Sequence, residues 1–311
     1  MTRLLIVAGK GGVGKTTVTA AVAAMASAAG LTTCIIEIEG KSGLGEMFGR
    51  PGRLTHEQVV LRPGGGPGGA ADVVARTLDP EAALVEYLED HGLRRISKRL
   101  AATGAIDVAA TAAPGIKDIL VLGKVKQLER AGEFDLLLLD APAAGHALTF
   151  LTSARGLLDA VRVGPIRAQA EDVLELLADP VRCQVLLVTL AEETPVNEVV
   201  ETAFALEDRV GISLAPVVVN GLYDVVDLAG DAAAAAAGSG VTLAPSRLRA
   251  LDAAAAFRRQ RQEMQAEQVA RLRDALPLPQ LRLPYVFSGE VGPAEVDLLA
   301  AALAGSVAGL P

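Results

Sequence analysis

The chain opens with Leu4-Leu5-Ile6-Val7-Ala8 and continues with Gly9-Lys10-Gly11-Gly12-Val13-Gly14-Lys15-Thr16-Thr17. The second run matches the phosphate-loop pattern G-x-x-x-x-G-K-[ST], in which glycines let backbone N–H groups close around phosphates. The apolar run before it is typical of a buried strand, and the alanine-rich Thr17–Ala29 after it favours a helix. This order puts the unpaired N–H groups of a helix N-terminus beside the loop, where an anion binds. The sequence therefore predicts a nucleoside triphosphate site.

Within this pattern each residue type has a chemical role. All nine residues from Gly9 to Thr17 are expected to contact the nucleotide. Lys15 is expected to meet the terminal phosphates, and the hydroxyl of Thr16 is expected to ligate Mg²⁺. We therefore expect ATP or ADP and Mg²⁺ as cofactors.

Lys10 is a second lysine within the loop, which ordinary phosphate loops do not require. The run resembles the variant loop of a dimeric ATPase class that contains partitioning ATPases, the nitrogenase iron protein and arsenical-pump ATPases. The resemblance implies that Lys10 reaches across a dimer to the partner's nucleotide. A cation placed against a transferring phosphoryl group stabilises the charge that grows in the transition state. The alternative is that Lys10 is a solvated loop lysine.

Composition excludes several other classes. The 311 residues are 51% hydrophobic but only 3% aromatic, as expected of a helix-rich protein with small, closely packed side chains. A net charge of −8 argues against non-specific binding to nucleic acid or to an anionic membrane surface. We therefore expect no nucleic-acid partner.

Two cysteines, Cys34 and Cys183, each stand beside an apolar run. They are interpreted as buried free thiols of a cytoplasmic protein, with a disulfide as the alternative. Neither belongs to a C-x-x-C motif, so zinc and iron–sulfur clusters are not expected. The first strand begins too early for a signal peptide. The uncharged stretch Thr16–Ile36 is already assigned to a helix and a strand, so no transmembrane segment is expected.

Strand-like apolar runs alternate with helical stretches along the chain, which predicts an α/β fold with a doubly wound, mostly parallel sheet. We expect one phosphate-loop ATPase domain over 1–311, with a helical subdomain inserted at 62–132 and 152–180. Asp231–Gly240 is interpreted as a linker and Leu251–Leu276 as a long helix. The predicted strands are Leu4–Ala8, Thr33–Ile38, Phe134–Asp140, Val185–Leu190, Leu214–Asn220 and Leu281–Pro284.

Polar residues stand where several of these strands end. Glu39, Asp140 and Asn220 each follow an apolar run, as does the loop after Ala8. Parallel sheets bind ligands at the carboxyl ends of their strands, so these residues are expected to converge on one site.

The segment from Asp140 to Leu148 resembles the second-switch motif of ArsA-type arsenical-pump ATPases and of the related ATPases that target tail-anchored proteins. The resemblance implies that Asp140 orders a water on Mg²⁺. It also implies that Asn220 reads the adenine edge and that the loop Pro284-Tyr285-Val286 covers the base. Taken alone, Asn220 would be interpreted as a turn residue.

The most consequential departure from this family lies in the first switch. The family has Asp-Pro-Ala-His there, and its aspartate positions the attacking water, whereas this chain has Glu39-Gly40-Lys41-Ser42. Glutamate keeps the charge but moves the carboxylate outward by one methylene, and near-attack geometry is sensitive to about 1 Å. The substitution therefore predicts slow hydrolysis, or hydrolysis only when the chain pairs with a complementary subunit, with Lys10, Lys15, Glu39 and Asp140 as the catalytic residues. The alternative is that Glu39 is only a charge at the end of a strand.

The sequence thus favours a Mg²⁺-dependent ATPase that forms a homodimer, or a heterodimer with a paralogous ATPase, and serves a client protein or membrane partner. The alternative is a weakly hydrolysing regulatory or scaffold subunit. A third hypothesis, a chromosome-partitioning or septum-positioning ATPase, lacks both a basic nucleic-acid face and a basic membrane-binding tail.

Overall fold

A computed structural model of the chain describes residues 3–38, 43–65, 69–80, 82–83, 85, 115–142, 144–227 and 230–310. Its centre is an eight-stranded sheet with the order β3-β4-β2-β5-β1-β6-β7-β8. Every neighbouring pair is parallel except β3 and β4, which are antiparallel. The strands are β1 (Leu4–Ala8), β2 (Thr33–Ile38), β3 (Val59–Arg62), β4 (Val73–Leu78), β5 (Leu136–Asp140), β6 (Cys183–Leu190), β7 (Val217–Leu222) and β8 (Gln280–Pro284).

Helices cover both faces of this sheet, as the continuous apolar strands require. Those that can be given bounds are α1 (Lys15–Ala28), α2 (Leu44–Met47), α3 (Ile116–Ala131), α4 (Ala144–Ala160), α5 (Pro165–Ala178), α6 (Glu193–Val210), α7 (Ala232–Gly238), α8 (Pro245–Ala275) and α9 (Pro293–Ala308). None in the described part of the chain combines the length and the apolar character needed to cross a bilayer.

Two hydrophobic cores lie on opposite faces of the sheet, because successive strand residues point to opposite sides. Leu137 and Leu139 of β5 join one core with α3, α4, α5 and α6. Leu136 and Leu138 of the same strand join the other core with α1 and α9. The doubly wound α/β fold predicted from the sequence is confirmed.

The alanines of α1 explain how a chain with few aromatic residues fills this second core. Ala20, Ala21, Ala23 and Ala24 are at most 1% exposed. Small side chains let α1 lie close to the sheet and to α9, so the start of α1 is held firmly beneath the loop that precedes it.

The strands β3 and β4 correct the sequence interpretation, which placed no strand between Ile38 and Phe134. The strand β4 pairs with β2 in parallel, and β3 returns antiparallel at the edge. Arg76 and Thr77 interrupt the apolar pattern of β4 although both are buried. The inserted helical subdomain at 62–132 and 152–180 stays a prediction, because residues 86–114 lie outside the described part.

A second correction concerns Asp231–Gly240, which was interpreted as a linker. Residues Ala232–Gly238 form α7, and the carboxylate of Asp231 accepts a hydrogen bond from the backbone N–H of Ala234 at 2.6 Å. Alanine is the strongest helix former and aspartate a preferred N-cap, so the local sequence favours this helix. The long helix predicted after it is confirmed as α8, which begins six residues earlier than expected, at Pro245 rather than Leu251.

Candidate active site

The loop between β1 and α1 lies at the carboxyl end of the sheet, and two of its glycines are required by geometry. A Cβ on Gly9 would overlap the carbonyl oxygen of Val188 on β6. Gly14 has φ 87°, and a Cβ there would overlap the side-chain amide of Asn220. Only glycine therefore lets the loop lie this close to β6 and β7.

The first helix begins directly after this loop. Its N-cap is Gly14, and no side chain from the described residues caps it. The first N–H groups of a helix have no partner within the helix, and the helix dipole adds partial positive charge at that end. The loop and the first turn of α1 thus form a cradle suited to an anion.

Lys15 projects from the first turn of α1. Its Nζ donates a hydrogen bond to the carbonyl oxygen of Lys10 at 3.1 Å, so the side chain lies over the loop. Burial lowers the pKa of Lys15, and the nearby Asp140 carboxylate acts in the opposite direction. The ammonium group is therefore held in a partly desolvated place, where an anionic ligand would strengthen its charged form.

Thr16 and Asp140 connect the loop to the end of β5. The Thr16 hydroxyl donates to Oδ2 of Asp140 at 2.7 Å. The other oxygen, Oδ1, is buried without a hydrogen-bond partner among the described residues. Burial raises the pKa of Asp140 to about 6, although the Thr16 hydrogen bond and Lys15 lower it.

Glu37 belongs to the same group, and the sequence interpretation missed it. It lies on β2 directly opposite Asp140 of β5 and is 3% exposed. Its carboxylate accepts a hydrogen bond from the hydroxyl of Thr77 on β4 at 3.1 Å. A charged residue within a buried parallel strand is rare, and that pattern in Ile36-Glu37-Ile38 was the signal available in the sequence.

These residues line the first of two clefts at this edge of the sheet. We call it the β5–α4 cleft; it has a volume of about 690 Å³ and contains Lys15, Thr16, Glu37 and Asp140. Its other walls come from β2, α3, α4 and the segments beside them. They are formed by Ile38, Pro80, Lys117, Asp118, Val121, Ala141, Pro142, His146, Thr149 and Phe150.

The second cleft, of about 290 Å³, lies on the other side of the loop, and we call it the β7–β8 cleft. It brings together the predicted residues Asn220, Pro284, Tyr285 and Val286. From the loop and α1 it is lined by Gly12, Val13, Gly14 and Thr17. The side-chain amide of Asn220 donates to the carbonyl oxygen of Val13 at 2.9 Å, which joins β7 to the loop.

Three further residues of the β7–β8 cleft were not found from the sequence. Arg261 of α8 pairs with Glu192 at 2.9 Å between Nη2 and Oε1. Gln265 accepts a hydrogen bond from the N–H of Tyr223 at 2.9 Å and donates to the carbonyl of Gly221 at 3.0 Å. Gln265 thus fixes the backbone immediately after Asn220. No local pattern marks Arg261 and Gln265, because α8 reaches the cleft only through packing.

The other two predicted catalytic residues are Lys10 and Glu39. Lys10 lies in the loop, and its Nζ is 2.6 Å from Oε1 of Glu198 on α6. Glu39 lies outside the described residues, as does Ala143 of the second-switch segment. Within the described residues, no three His, Cys, Asp or Glu side chains gather as a metal cluster.

The raised pKa of Asp140 gives a prediction about stability. An ordinary aspartate titrates near 3.8, so the ionised carboxylate destabilises the folded chain fully above about pH 6. This cost is about 3 kcal/mol at pH 7 and disappears as the pH falls towards 3.8. We expect Asp140→Asn to stabilise the protein by about 1–3 kcal/mol at pH 7 in EDTA, and by less at pH 5. Urea unfolding at both pH values measures this difference.

The exposed Asp159 on α4 supplies the control, and Asp159→Asn should leave the unfolding free energy unchanged at both pH values. If Asp140→Asn destabilised the protein at pH 7, the ionised carboxylate would be a net stabilising group. That result would contradict the desolvation argument.

The sequence of the chain is similar to those of known ATPases. A family model described as anion-transporting ATPase matches residues 2–163, just over half of the chain. ATPase BagA of Mycobacterium tuberculosis is 31% identical over 306 residues, which cover 92% of this chain and 88% of BagA. An arsenical pump-driving ATPase of Escherichia coli is 24% identical, covering 75% of this chain and 41% of that protein. ATPase get3 of Schizosaccharomyces japonicus is 29% identical, covering 47% and 42% respectively.

Proposed function

Since this chain belongs to the anion-transporting ATPase family, we propose that it is a Mg²⁺-dependent ATP hydrolase working as a nucleotide-switched dimer. In this proposal, ATP binding and hydrolysis drive the targeting or transport of a client at a membrane. The proposal of an ATPase rests on one observation, which is that the loop between β1 and α1 contributes residues to both clefts. One cleft offers a cation and carboxylates, and the other offers an oriented amide.

The triphosphate is proposed to lie along the loop from the β7–β8 cleft to the β5–α4 cleft. The N–H groups from Gly11 to Thr16 and the ammonium of Lys15 would bind its phosphates. The carbonyl of Lys10 that now accepts from Lys15 lies in the same loop. A phosphate oxygen would therefore be a stronger, charged acceptor within a short reach of the Lys15 side chain.

The residues present fit Mg²⁺, a hard cation that prefers oxygen ligands and retains several waters. The Thr16 hydroxyl would bind the ion, and Asp140 would bind one of its waters through the buried Oδ1 that has no partner among the described residues. The ion, when bound, neutralises charge on the phosphate oxygens. The prediction that zinc and iron–sulfur clusters are absent stays a prediction.

The orientation of Asn220 supports adenine as the base. The carbonyl of Val13 can only accept a hydrogen bond, so the Asn220 group facing it is the NH₂. The amide oxygen Oδ1 is then left to accept from a ligand. Adenine presents an amino group at its sixth position, whereas guanine presents an oxygen that would face Oδ1 unfavourably.

We expect the protein to bind ATP about 5-fold to 150-fold more tightly than GTP, because a mismatched polar group in a desolvated site costs about 1–3 kcal/mol. Asn220→Ala should bring the two affinities within about twofold of each other. Titration calorimetry with both nucleotides in Mg²⁺ gives the ratio. Asn197→Ala, on the exposed side of α6, is the control and should keep the wild-type preference. Equal wild-type affinities would contradict the proposed role of Asn220.

A dimer is proposed because Lys10 stands in the loop in addition to Lys15 and is half-exposed at the surface. From there its ammonium group would reach a nucleotide held by another subunit and stabilise the transferring phosphoryl group. The partner would be a second copy of the chain or a paralogous ATPase. The client or membrane partner is proposed from the family alone.

A second candidate function is favoured by Glu39 and by the alanines in the second-switch segment, where the related motif has threonines. The chain would then be a regulatory subunit that binds nucleotide but hydrolyses it weakly. The two candidates differ in turnover and share the same nucleotide site.

One experiment tests the main proposal. Hydrolysis of ATP is measured in single-turnover conditions with Mg²⁺ and with EDTA, and sedimentation is followed with a non-hydrolysable ATP analogue. The proposal expects Mg²⁺-dependent phosphate release and a dimer that forms only with the analogue. Binding of ATP without phosphate release would favour the regulatory subunit. The absence of ATP binding would contradict both candidates.

A further inference from the structure

The ion pair between Lys10 and Glu198 joins residues 188 positions apart in sequence. Its Nζ–Oε1 distance is 2.6 Å, and the two side chains are 39% and 37% exposed. The pair therefore lies at the surface beside the phosphate loop, where a second molecule could reach it.

The two partners differ in how firmly they are held. Glu198 is on α6, between Val196 and Val199, which are at most 4% exposed and anchor the helix in the core. Lys10 belongs to a glycine-rich loop, and its ammonium is carried on a flexible four-carbon stem. Glu198 consequently determines where the Lys10 ammonium rests.

A carboxylate in direct contact with Lys10 changes what this lysine can do. While the pair is formed, Glu198 offsets part of the charge of Lys10 and keeps its ammonium group away from a phosphoryl group elsewhere. If Glu198 stayed paired with Lys10 beside a triphosphate, its carboxylate would also repel the phosphates. The contact with Glu198 and a contact with a partner's nucleotide are therefore alternatives.

We propose that Glu198 is a positioning residue that holds Lys10 on its own subunit and must release it before two copies of the chain pair around ATP. This inference rests on the proposed function, in which Lys10 acts across a dimer. Glu198 thereby opposes pairing until nucleotide is bound, since only the triphosphate offers Lys10 a stronger counter-charge.

The size of the effect follows from the exposure of the pair. Ion pairs open to solvent are weak because water screens them and both side chains lose freedom. Two such pairs open when a dimer forms, one in each subunit, so releasing the restraint should tighten the dimer by about twofold to 30-fold. Glu198→Gln keeps the shape of the side chain and removes its charge. Glu207→Gln, at an exposed position nine residues further along the same helix, makes the same charge change on the side of α6 opposite to Glu198.

The test measures the dimer dissociation constant by sedimentation with Mg²⁺ and a non-hydrolysable ATP analogue. We expect a constant lower by about twofold to 30-fold for Glu198→Gln and the wild-type constant for Glu207→Gln. In a Lys10→Ala background, Glu198→Gln should have no effect, because Glu198 acts through Lys10. Thermal unfolding of each variant checks that the fold is retained, and Glu198→Ala should repeat the direction of the effect.

Other results would overturn the inference in distinguishable ways. An unchanged or weaker dimer for Glu198→Gln, with a wild type that dimerises, rejects the role of Glu198 and leaves the proposed function standing. A Glu198→Gln effect that persists without Lys10 shows that Glu198 acts by another route. A wild type that stays monomeric with the analogue rejects both the dimer and this inference.

Discussion

Replacing Lys15 with alanine is expected to weaken ATP binding by about 30-fold to 5,000-fold. Truncating one partner of a desolvated, hydrogen-bonded charge pair costs about 2–5 kcal/mol, which corresponds to that range of affinity. Lys15 is partly buried, which lowers its pKa, and it lies beside the loop whose N–H groups face the same ligand. Titration calorimetry with ATP and Mg²⁺ measures the change.

The control for this variant is Lys124→Ala, which removes the same charge from α3 outside both clefts. It should bind ATP as the wild type does. Thermal unfolding of both variants shows whether the fold is retained. A folded Lys15→Ala protein with wild-type affinity would show that the loop does not hold the phosphates in the proposed way.

Replacing Glu39 with aspartate is expected to raise the rate of ATP hydrolysis by about a hundredfold. The related motif has aspartate at this position, and a 1 Å displacement of a reacting group is worth about that factor. The shorter side chain would draw the carboxylate back by one methylene. Single-turnover phosphate release by the wild type and the variant, each saturated with ATP, measures the rate of the chemical step.

Glu46→Asp makes the same substitution on the exposed surface of α2 and should leave the rate unchanged. A variant at Glu37 sharpens the test, since Glu37 lies in the β5–α4 cleft opposite Asp140. If Glu39→Asp has no effect while Glu37→Gln abolishes hydrolysis, Glu37 rather than Glu39 positions the attacking water. Rapid hydrolysis by the wild type would reject the regulatory-subunit candidate.

Much of the fold could be predicted because its signals are local. Leu4–Ala8 and the run ending at Asp140 are uninterrupted apolar segments, and the loop between β1 and α1 combines glycines with Lys15 and Thr16. The family was predicted from the Asp140–Leu148 motif, and the comparisons confirm it. The roles proposed for individual site residues stay predictions.

The strand β4 and the helix α7 were not predicted from the sequence, for different reasons. The strand β4 carries Arg76 and Thr77 at buried positions, so its pattern is not that of an apolar strand. Its pairing with β2 and β3 stabilises it through contacts that are distant in sequence. The alanines of α7 and its N-cap Asp231 are local helix signals, but the low-complexity segment was interpreted as a linker.

The phosphate loop, the buried strand before it and the helix after it could all be predicted from the sequence, because neighbouring residues meet their requirements. Three contacts of the site are visible only in the folded chain: the ion pair of Glu198 with Lys10, the hydrogen bond from the Asn220 NH₂ to Val13, and the position of Glu37 opposite Asp140. Each of these contacts depends on which strands are neighbours and on how α6 packs. Strand order and helix packing are set by the summed burial of two cores, and no local pattern of residues specifies them.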